Sequence, residues 1–164
     1  MEILIKKVKK EDLPEFYNHY KSWVMELFPE YSENLKKKMT EKLFGKEYIL
    51  ERIKEGIVLV ALSGENPVGM FMADPPLGGL SYGVWLMVDV NCQGKGIGKS
   101  LLERWEEEAL KQGCHNLRLE ADHRNVGFYE RMGFKLIGIE EKGYFGTDNY
   151  LFQKIIAEPN EKNF

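Results

Sequence analysis

Apolar positions recur along this chain with two different periods, and the switches between them mark out its elements. From Ile3 to Val8 apolar and charged residues partly alternate, as along a half-buried strand. From Leu13 the period lengthens: Phe16, Tyr17, Tyr20, Trp23, Val24 and Leu27 share one helix face, and Pro29 ends the helix. Asp12, with Glu15 three residues on, is placed to cap its start. A short aromatic linker, Phe28 to Ser32, leads to a second predicted helix from Glu33 to about Lys54, with Leu35, Met39, Leu43, Ile49 and Ile53 inside, Gly45 as an interruption and Gly56 as a stop.

Ile57 to Leu62 and Val68 to Met72 are apolar runs around the polar turn Gly64-Glu-Asn-Pro67, a predicted hairpin. Tyr82 to Val88 reads as a strand, and Ile97, Leu101, Trp105 and Ala109 repeat every four residues along a helix that closes near Gln112 and Gly113. Leu117 to Ala121 alternates as a strand, Asn125 to Met132 forms a short helix ended by Gly133, and Phe134 to Ile139 and Tyr150 to Ile156 complete the strands. Periodicity alone gives an α/β or α+β chain, one layer of sheet with helices on both faces, in the order β-α-α-β-β-β-α-β-α-β-β. One domain over residues 1–157 and a polar, frayed tail over 158–164 are expected.

Composition narrows the function classes. With 164 residues, 43% hydrophobic and 30% charged, the chain suits one core that buries roughly 70% of the unfolded surface. The net charge of −3, without a basic tail or arginine cluster, argues against nucleic acid as a partner. No apolar run reaches transmembrane length and Met1-Glu2-Ile3 opens no signal pattern, so a cytoplasmic protein with no membrane partner is expected. Cys92 and Cys114 are too few for a disulfide framework or a zinc site, and no metal is expected.

Chemistry concentrates where the strand ending at Val88 meets the helix starting near Ile97. Gly94, Gly96 and Gly98 stand at alternate positions between them. Glycine tolerates positive φ and has no Cβ to hold a ligand off, so such a loop turns several backbone N–H groups to one point. The helix N-terminus favours an anion there by roughly 0.3–1 kcal/mol per charge effect, and Lys95 and Lys99 add positive charge. The mononucleotide loop requires glycine where Gln93 stands, and the dinucleotide fingerprint requires a third glycine one residue later than Gly98. Both fail by a single position, which disfavours a nucleoside triphosphatase.

What remains, Gln93-x-x-Gly96-x-Gly98 after an apolar strand, resembles the pyrophosphate motif of the GNAT superfamily of acetyl-coenzyme A-dependent N-acetyltransferases. Asn125-Val-Gly-Phe-Tyr-Glu-Arg-Met-Gly-Phe134 resembles the second signature of that family, in the right order and at about the right distance. The resemblance covers roughly Val58 to Lys154. It implies a mixed sheet with a splayed central pair of parallel strands. It further implies that Met87 and Val88 hold the pantetheine arm of acetyl-coenzyme A, and that Gln93, Gly94, Lys95, Gly96, Ile97, Gly98 and Lys99 hold the pyrophosphate. Asn125, Phe128, Tyr129 and Arg131 complete the implied cofactor set, with Arg124 within reach of the phosphates. A backbone amide, that of Val88 by position, would polarise the thioester carbonyl, and Tyr129 would protonate the departing thiolate.

The base is open. The position at which many relatives carry a glutamate is Tyr82, while Leu119-Glu-Ala121 resembles a second place where the family carries one, which makes Glu120 the candidate. Asp89, Asp122, His123 or an ordered water are the reserves. The family usually has asparagine seven residues before the signature tyrosine, whereas Asp122 stands there and Asn125 only four before. The acceptor is open too. Leu27-Phe-Pro-Glu-Tyr31 and Gly143-Tyr-Phe-Gly146 resemble the linker and final hairpin of protein N-terminal acetyltransferases, so Phe28, Tyr31, Tyr82 and Tyr144 are candidate acceptor contacts. Glu30, Glu33, Glu140 and Glu141 suit a small cationic amine equally well. The acceptor is therefore a small amine or a peptide N-terminus, the protein a monomer or homodimer, and the alternative to an enzyme is an acyl-coenzyme A sensor without turnover.

Overall fold

The computed structural model describes residues 2–164. Seven strands form one mixed sheet: β1 (Ile3–Lys7), β2 (Ile57–Ser63), β3 (Asn66–Ala73), β4 (Leu80–Val88), β5 (Asn116–Ala121), β6 (Lys135–Glu140) and β7 (Asn149–Ile155). Their order across the sheet is β1-β2-β3-β4-β5-β7-β6. Neighbours are antiparallel except at the centre, where β4 and β5 run parallel. This is the α/β mixed sheet that the two motifs imply.

The hairpin of β2 and β3 turns tightly, Ser63 standing opposite Asn66. Between β3 and β4 the register slips, Met72 facing Trp85 but Ala73 facing Gly83, so Val84 is the extra residue of a β-bulge. Beyond it β4 bends away from β5. The parallel ladder covers only Leu80–Gly83 against Asn116–Leu119, and the two strands then diverge.

Helices cover both faces. On one side lie α1 (Leu13–Leu27), α2 (Glu33–Lys38) and α3 (Lys46–Glu55); on the other α4 (Ile97–Lys111) and the short α5 (Val126–Arg131). Tyr20, Trp23, Val24 and Ile49 pack on Val58, Val60, Met70, Met72 and Met87. Ile97, Leu101, Trp105 and Ala109, the repeat legible in the sequence, are buried against Leu59, Phe71, Leu117, Leu119 and Phe152. Successive strand residues thus feed two cores, as the period of a strand requires.

Three details depart from the pattern reading. Asp12 does not cap α1; its carboxylate accepts from the Lys9 amide at 2.9 Å, closing a 3-10 turn over Lys10–Asp12 that precedes the helix. The helix expected from Glu33 is interrupted at Gly45, as its glycine suggested, but the break begins earlier, at Met39. The Tyr17 hydroxyl donates to the Thr40 carbonyl at 3.0 Å, and the Phe44 amide bonds Met39 instead, at 2.7 Å, so the turn widens over Met39–Leu43 and the helix restarts after Gly45. The tail carries a 3-10 turn at Glu161–Asn163, and the Phe164 ring lies 5.6 Å from that of His115. Among the described residues no helix is long and apolar enough to cross a membrane, and no cluster of His, Cys, Asp and Glu is arranged to hold a metal ion.

Candidate active site

Divergence of β4 from β5 opens a cleft of about 920 Å³ at the centre of the sheet, and its floor is backbone. Val88 faces Gly69 across the antiparallel ladder, and the next amide, Asp89, donates to the Val68 carbonyl at 3.0 Å. That bonding makes Val88 and Gly69 a non-hydrogen-bonded pair, so the N–H and C=O of Val88 point the other way, into the gap. The carbonyl is taken by the Gln93 side-chain amide at 3.1 Å. The N–H is left toward the cleft that Val88 lines.

The glycine loop adjoins this point. Gly94 and Gly96 are left-handed, with φ of 73° and 82°, and no protein atom lies within 4 Å of where a side chain would stand. Gly96 is the N-cap of α4, and the axis of that helix adds its positive end to the same place. Gly98 is needed for a different reason: a Cβ there would stand 3.3 Å from the Phe128 ring. Gln93, Gly94, Gly96, Ile97, Gly98 and Lys99 line the cleft, with Met87 and Val88 below and Asn125, Phe128 and Tyr129 opposite. Lys95 and Arg131 are outside its wall. The Lys95 ammonium donates to the Asn91 carbonyl at 2.8 Å, and Arg131 is exposed.

Helix chemistry fixes Tyr129. Met132 ends α5, Gly133 adopts φ 83°, the Gly133 amide donates to Glu130 at 3.0 Å and the Phe134 amide to Tyr129 at 3.0 Å. This paired closure is accompanied by an apolar contact between the residue after the glycine and the last full turn. Here that contact is Phe134 against Tyr129, ring centroids 5.9 Å apart. Phe152 and Phe128 hold the other sides at 5.6 and 5.1 Å. Burial holds the Tyr129 phenol well above its usual range, so it stays protonated.

Across the gap, Glu120 alternates with the buried Leu119 and Ala121 and lines the cleft. The Tyr82 hydroxyl faces its carboxylate; burial first, and then that carboxylate, raise the Tyr82 phenol. Tyr82 is thus a proton holder and not a base. Asp122, just beyond, is occupied: the Arg124 guanidinium holds its carboxyl below the usual range at 2.8 Å and reaches on to Glu30 at 3.0 Å.

The far end of the cleft is aromatic and acidic. Phe28 stacks on Tyr31 at 5.9 Å, Phe28 and Phe44 pack edge-on to Trp85 at 5.5 and 5.3 Å, and Tyr31 meets Phe145 at 5.6 Å. Tyr144 also lines it. Six acidic residues, Glu26, Glu30, Asp74, Glu120, Asp122 and Asp148, line the cleft against two basic ones, Lys99 and Arg124. Asp74 is held by Arg52 at 2.6 Å and by the Tyr48 hydroxyl at 3.3 Å. Phe28, Tyr31, Tyr82 and Tyr144 line the cleft, together with Phe145 of the same Gly143–Gly146 motif, whereas Trp85, Phe44, Tyr48 and Asp74 carried no signal in the sequence.

A mixed sheet parted between its central parallel strands, with a glycine-rich loop at the parting, is the fold class shared with solved N-acetyltransferases. Residues 11–134 match the model of the acetyltransferase (GNAT) family, and the chain belongs to that family. It is 39% identical over 54 residues to serotonin N-acetyltransferase 2, chloroplastic, of Oryza sativa subsp. japonica, which is 32% of this chain and 27% of that protein. It is 35% identical over 68 residues to histone acetyltransferase TAP1 of Glycine max, 41% of this chain and 29% of that one. The matches thus span under a third of these curated relatives. Among solved structures, the PaiA N-acetyltransferase of Thermoplasma acidophilum in complex with coenzyme A shares the fold at TM-score 0.78 and 24% identity, over 94% of this chain and 99% of that one. The ribosomal-protein-S18-alanine N-acetyltransferase of Escherichia coli shares it at TM-score 0.70 and 22% identity, over 98% and 97%.

Proposed function

We propose that this protein is an N-acetyltransferase that moves the acetyl group of acetyl-coenzyme A directly to a primary amine. The observation that carries the reading is the gathering, in one gap between β4 and β5, of the inward-facing Val88 amide, the left-handed Gly94 and Gly96, the protonated Tyr129 and the carboxylate of Glu120. The cradle fits a pyrophosphate, because its amides and a helix N-terminus face open cleft. Gln93, Gly94, Gly96, Ile97, Gly98 and Lys99 would hold the phosphates, and Met87, Val88, Asn125 and Phe128 the pantetheine arm. Coenzyme A, when bound, supplies the acetyl thioester.

Each remaining task falls to this chain. Glu120, directly or through a water, takes the proton that the ammonium must lose before its nitrogen bonds the acetyl carbon, and the second nitrogen proton passes to solvent as the tetrahedral adduct collapses to the amide. The Val88 N–H donates to the carbonyl oxygen as negative charge gathers there. Tyr129 gives its proton to the sulfur as the carbon–sulfur bond breaks, and recovers one from solvent. The excess of acidic over basic residues along the cleft, with Asp74, Glu30 and Asp122 held by arginines, supports a cationic acceptor.

Thiol release from acetyl-coenzyme A, with amines of several kinds, tests this. Amine-dependent release that Tyr129→Phe removes, with coenzyme A affinity kept, is the expected result. Binding without release from any amine would favour a cofactor sensor.

A further inference from the structure

The cleft forms because the two halves of the sheet are joined along a short seam. β4 is tied to β5 by four rungs, Leu80–Gly83 against Asn116–Leu119. Past them β4 continues beside β3, Met72 facing Trp85 and Gly69 facing Val88, while β5 continues beside β7, Glu120 facing Leu151 and Ala121 facing Tyr150. The Val88 amide therefore moves with one half of the sheet and the Glu120 carboxylate with the other. Two groups that act on one reacting centre need a firmer relation than that, since a misplacement of about 1 Å can cost a hundredfold in rate.

Tyr82 stands at this seam. It is opposite Arg118 in the ladder, and Glu120, two residues beyond Arg118, shares that face of the sheet. Such diagonal neighbours lie about 7–8 Å apart, within reach of an aromatic side chain. Both line the cleft, and the Tyr82 hydroxyl is turned to the Glu120 carboxylate. The backbone of Tyr82 is fastened on its other side, where its carbonyl takes the Asp74 amide at 2.9 Å. Besides Glu120, the phenol is faced by Tyr144 and by Asp74, the latter held by Arg52, with the exposed Arg118 on the neighbouring strand. Burial, Glu120, Tyr144 and Asp74 all work to keep its proton on, so toward the carboxylate it can only donate.

We infer that Tyr82 is the positioning residue for the base: its hydroxyl donates to Glu120 across the seam and fixes the carboxylate, carried by β5, against the acetyl group that β4 holds. The inference rests on the acetyltransferase reading above and deepens it. No covalent bond forms or breaks at Tyr82, and its proton stays in place through turnover.

A double-mutant cycle reads the coupling. The acceptors are phenethylamine, an ammonium at neutral pH, and β,β-difluorophenethylamine, of nearly the same shape but far less basic. With the first, Tyr82→Phe should lower kcat about tenfold and Glu120→Gln about a hundredfold, at unchanged KM for acetyl-coenzyme A. The double variant should lose no more than Glu120→Gln alone. With the second amine, which reaches the site largely deprotonated, the loss in Tyr82→Phe should shrink to about twofold. Losses that multiply in the double variant, or an equal loss with both amines, would overturn the proposal, because a residue that merely packs the cleft gives those results.

A titration that needs no turnover separates the pairing from the activity. In protein isotopically labelled at the hydroxyl-bearing carbon of tyrosine, the Tyr82 NMR signal is assigned by its loss in Tyr82→Phe. That signal should reach its ionised position at lower pH in Glu120→Gln than in the wild-type protein. An unchanged titration would overturn the pairing even in a protein that acetylates nothing. A lowered one without turnover of any amine would leave the pairing and overturn its task along with the acetyltransferase reading.

Discussion

The two ends of the cleft are built in different ways. At the cradle end the groups are backbone amides and the Tyr129 phenol, placed by glycine dihedrals and helix ends within short stretches of chain: Val88 to Gly98, and Asn125 to Phe134. At the acceptor end they are side chains brought together from five separate segments, Phe28 and Tyr31, Phe44, Asp74, Trp85, and Tyr144 and Phe145. Local geometry can be reused with little change, whereas a wall of side chains is free to vary. The first end carries the family's motifs, and under the proposed acetyl transfer the second would meet the acceptor.

The supports differ in the same way. Beneath α4, the buried Glu108 gathers Lys7 at 2.7 Å, Lys111 at 2.8 Å and Arg104 at 3.1 Å, fastening the helix to β1. Burial works to raise the Glu108 carboxyl, but the hydrogen bonds from Lys111 and Lys7 outweigh it and lower it to about 2. The mouth of the acceptor end is held by Arg124 and Glu30, whose side chains are 63% and 34% exposed.

The contrast is broken most sharply at Tyr129. Tyr129→Phe keeps the ring in its aromatic nest and removes one proton, so turnover should fall by about a hundredfold or more while coenzyme A binding changes little. Steady-state kinetics beside calorimetric titration reads both. A parallel loss of binding would make Tyr129 a packing residue and nothing else.

Next in size is Glu108→Gln, expected to cost about 2 kcal/mol through loss of charge-assisted hydrogen bonds, as read by denaturant unfolding. Because the folded carboxyl lies below its ordinary value of 4.5, its contribution is complete above that value and is lost as pH falls toward about 2. The wild-type protein should therefore lose stability over that window more steeply than the variant.

Gly96→Val forces a β-branched residue into φ 82° and should weaken coenzyme A binding by about tenfold without touching acceptor choice. Smallest is Arg124→Ala. An exposed pair contributes under about 1 kcal/mol, so the melting temperature should barely move, while the acceptor KM shifts a few-fold. A large loss of stability there would erase the distinction between the two ends.

That distinction also explains what the sequence made legible. The order of elements along the chain, the buried stripe of α4, the glycine cradle and the register of Tyr129 follow from periods and caps, which are local. The Asp12 cap failed because a 3-10 turn before α1 claimed its carboxylate, and the helix expected over residues 33–54 broke because Tyr17 took the Thr40 carbonyl from a distant part of the chain. Lys95 looked like a phosphate ligand from its neighbours alone, yet its ammonium turns back to Asn91. Trp85, Phe44 and Tyr48 belong to no motif in the sequence. The bend of β4 at Val84 and the break after Met39–Leu43 carry them to the cleft; the bend has no sequence signature, and Gly45 alone marked the break.

The most direct test of acyl transfer is mass spectrometry of the acceptor after incubation with acetyl-coenzyme A carrying an isotopically labelled acetyl group, with free coenzyme A measured in the same sample. The expected result is labelled N-acetyl amine in an amount equal to the coenzyme A released. Free coenzyme A with no acetylated amine, or neither product while acetyl-coenzyme A raises the melting temperature, would contradict it.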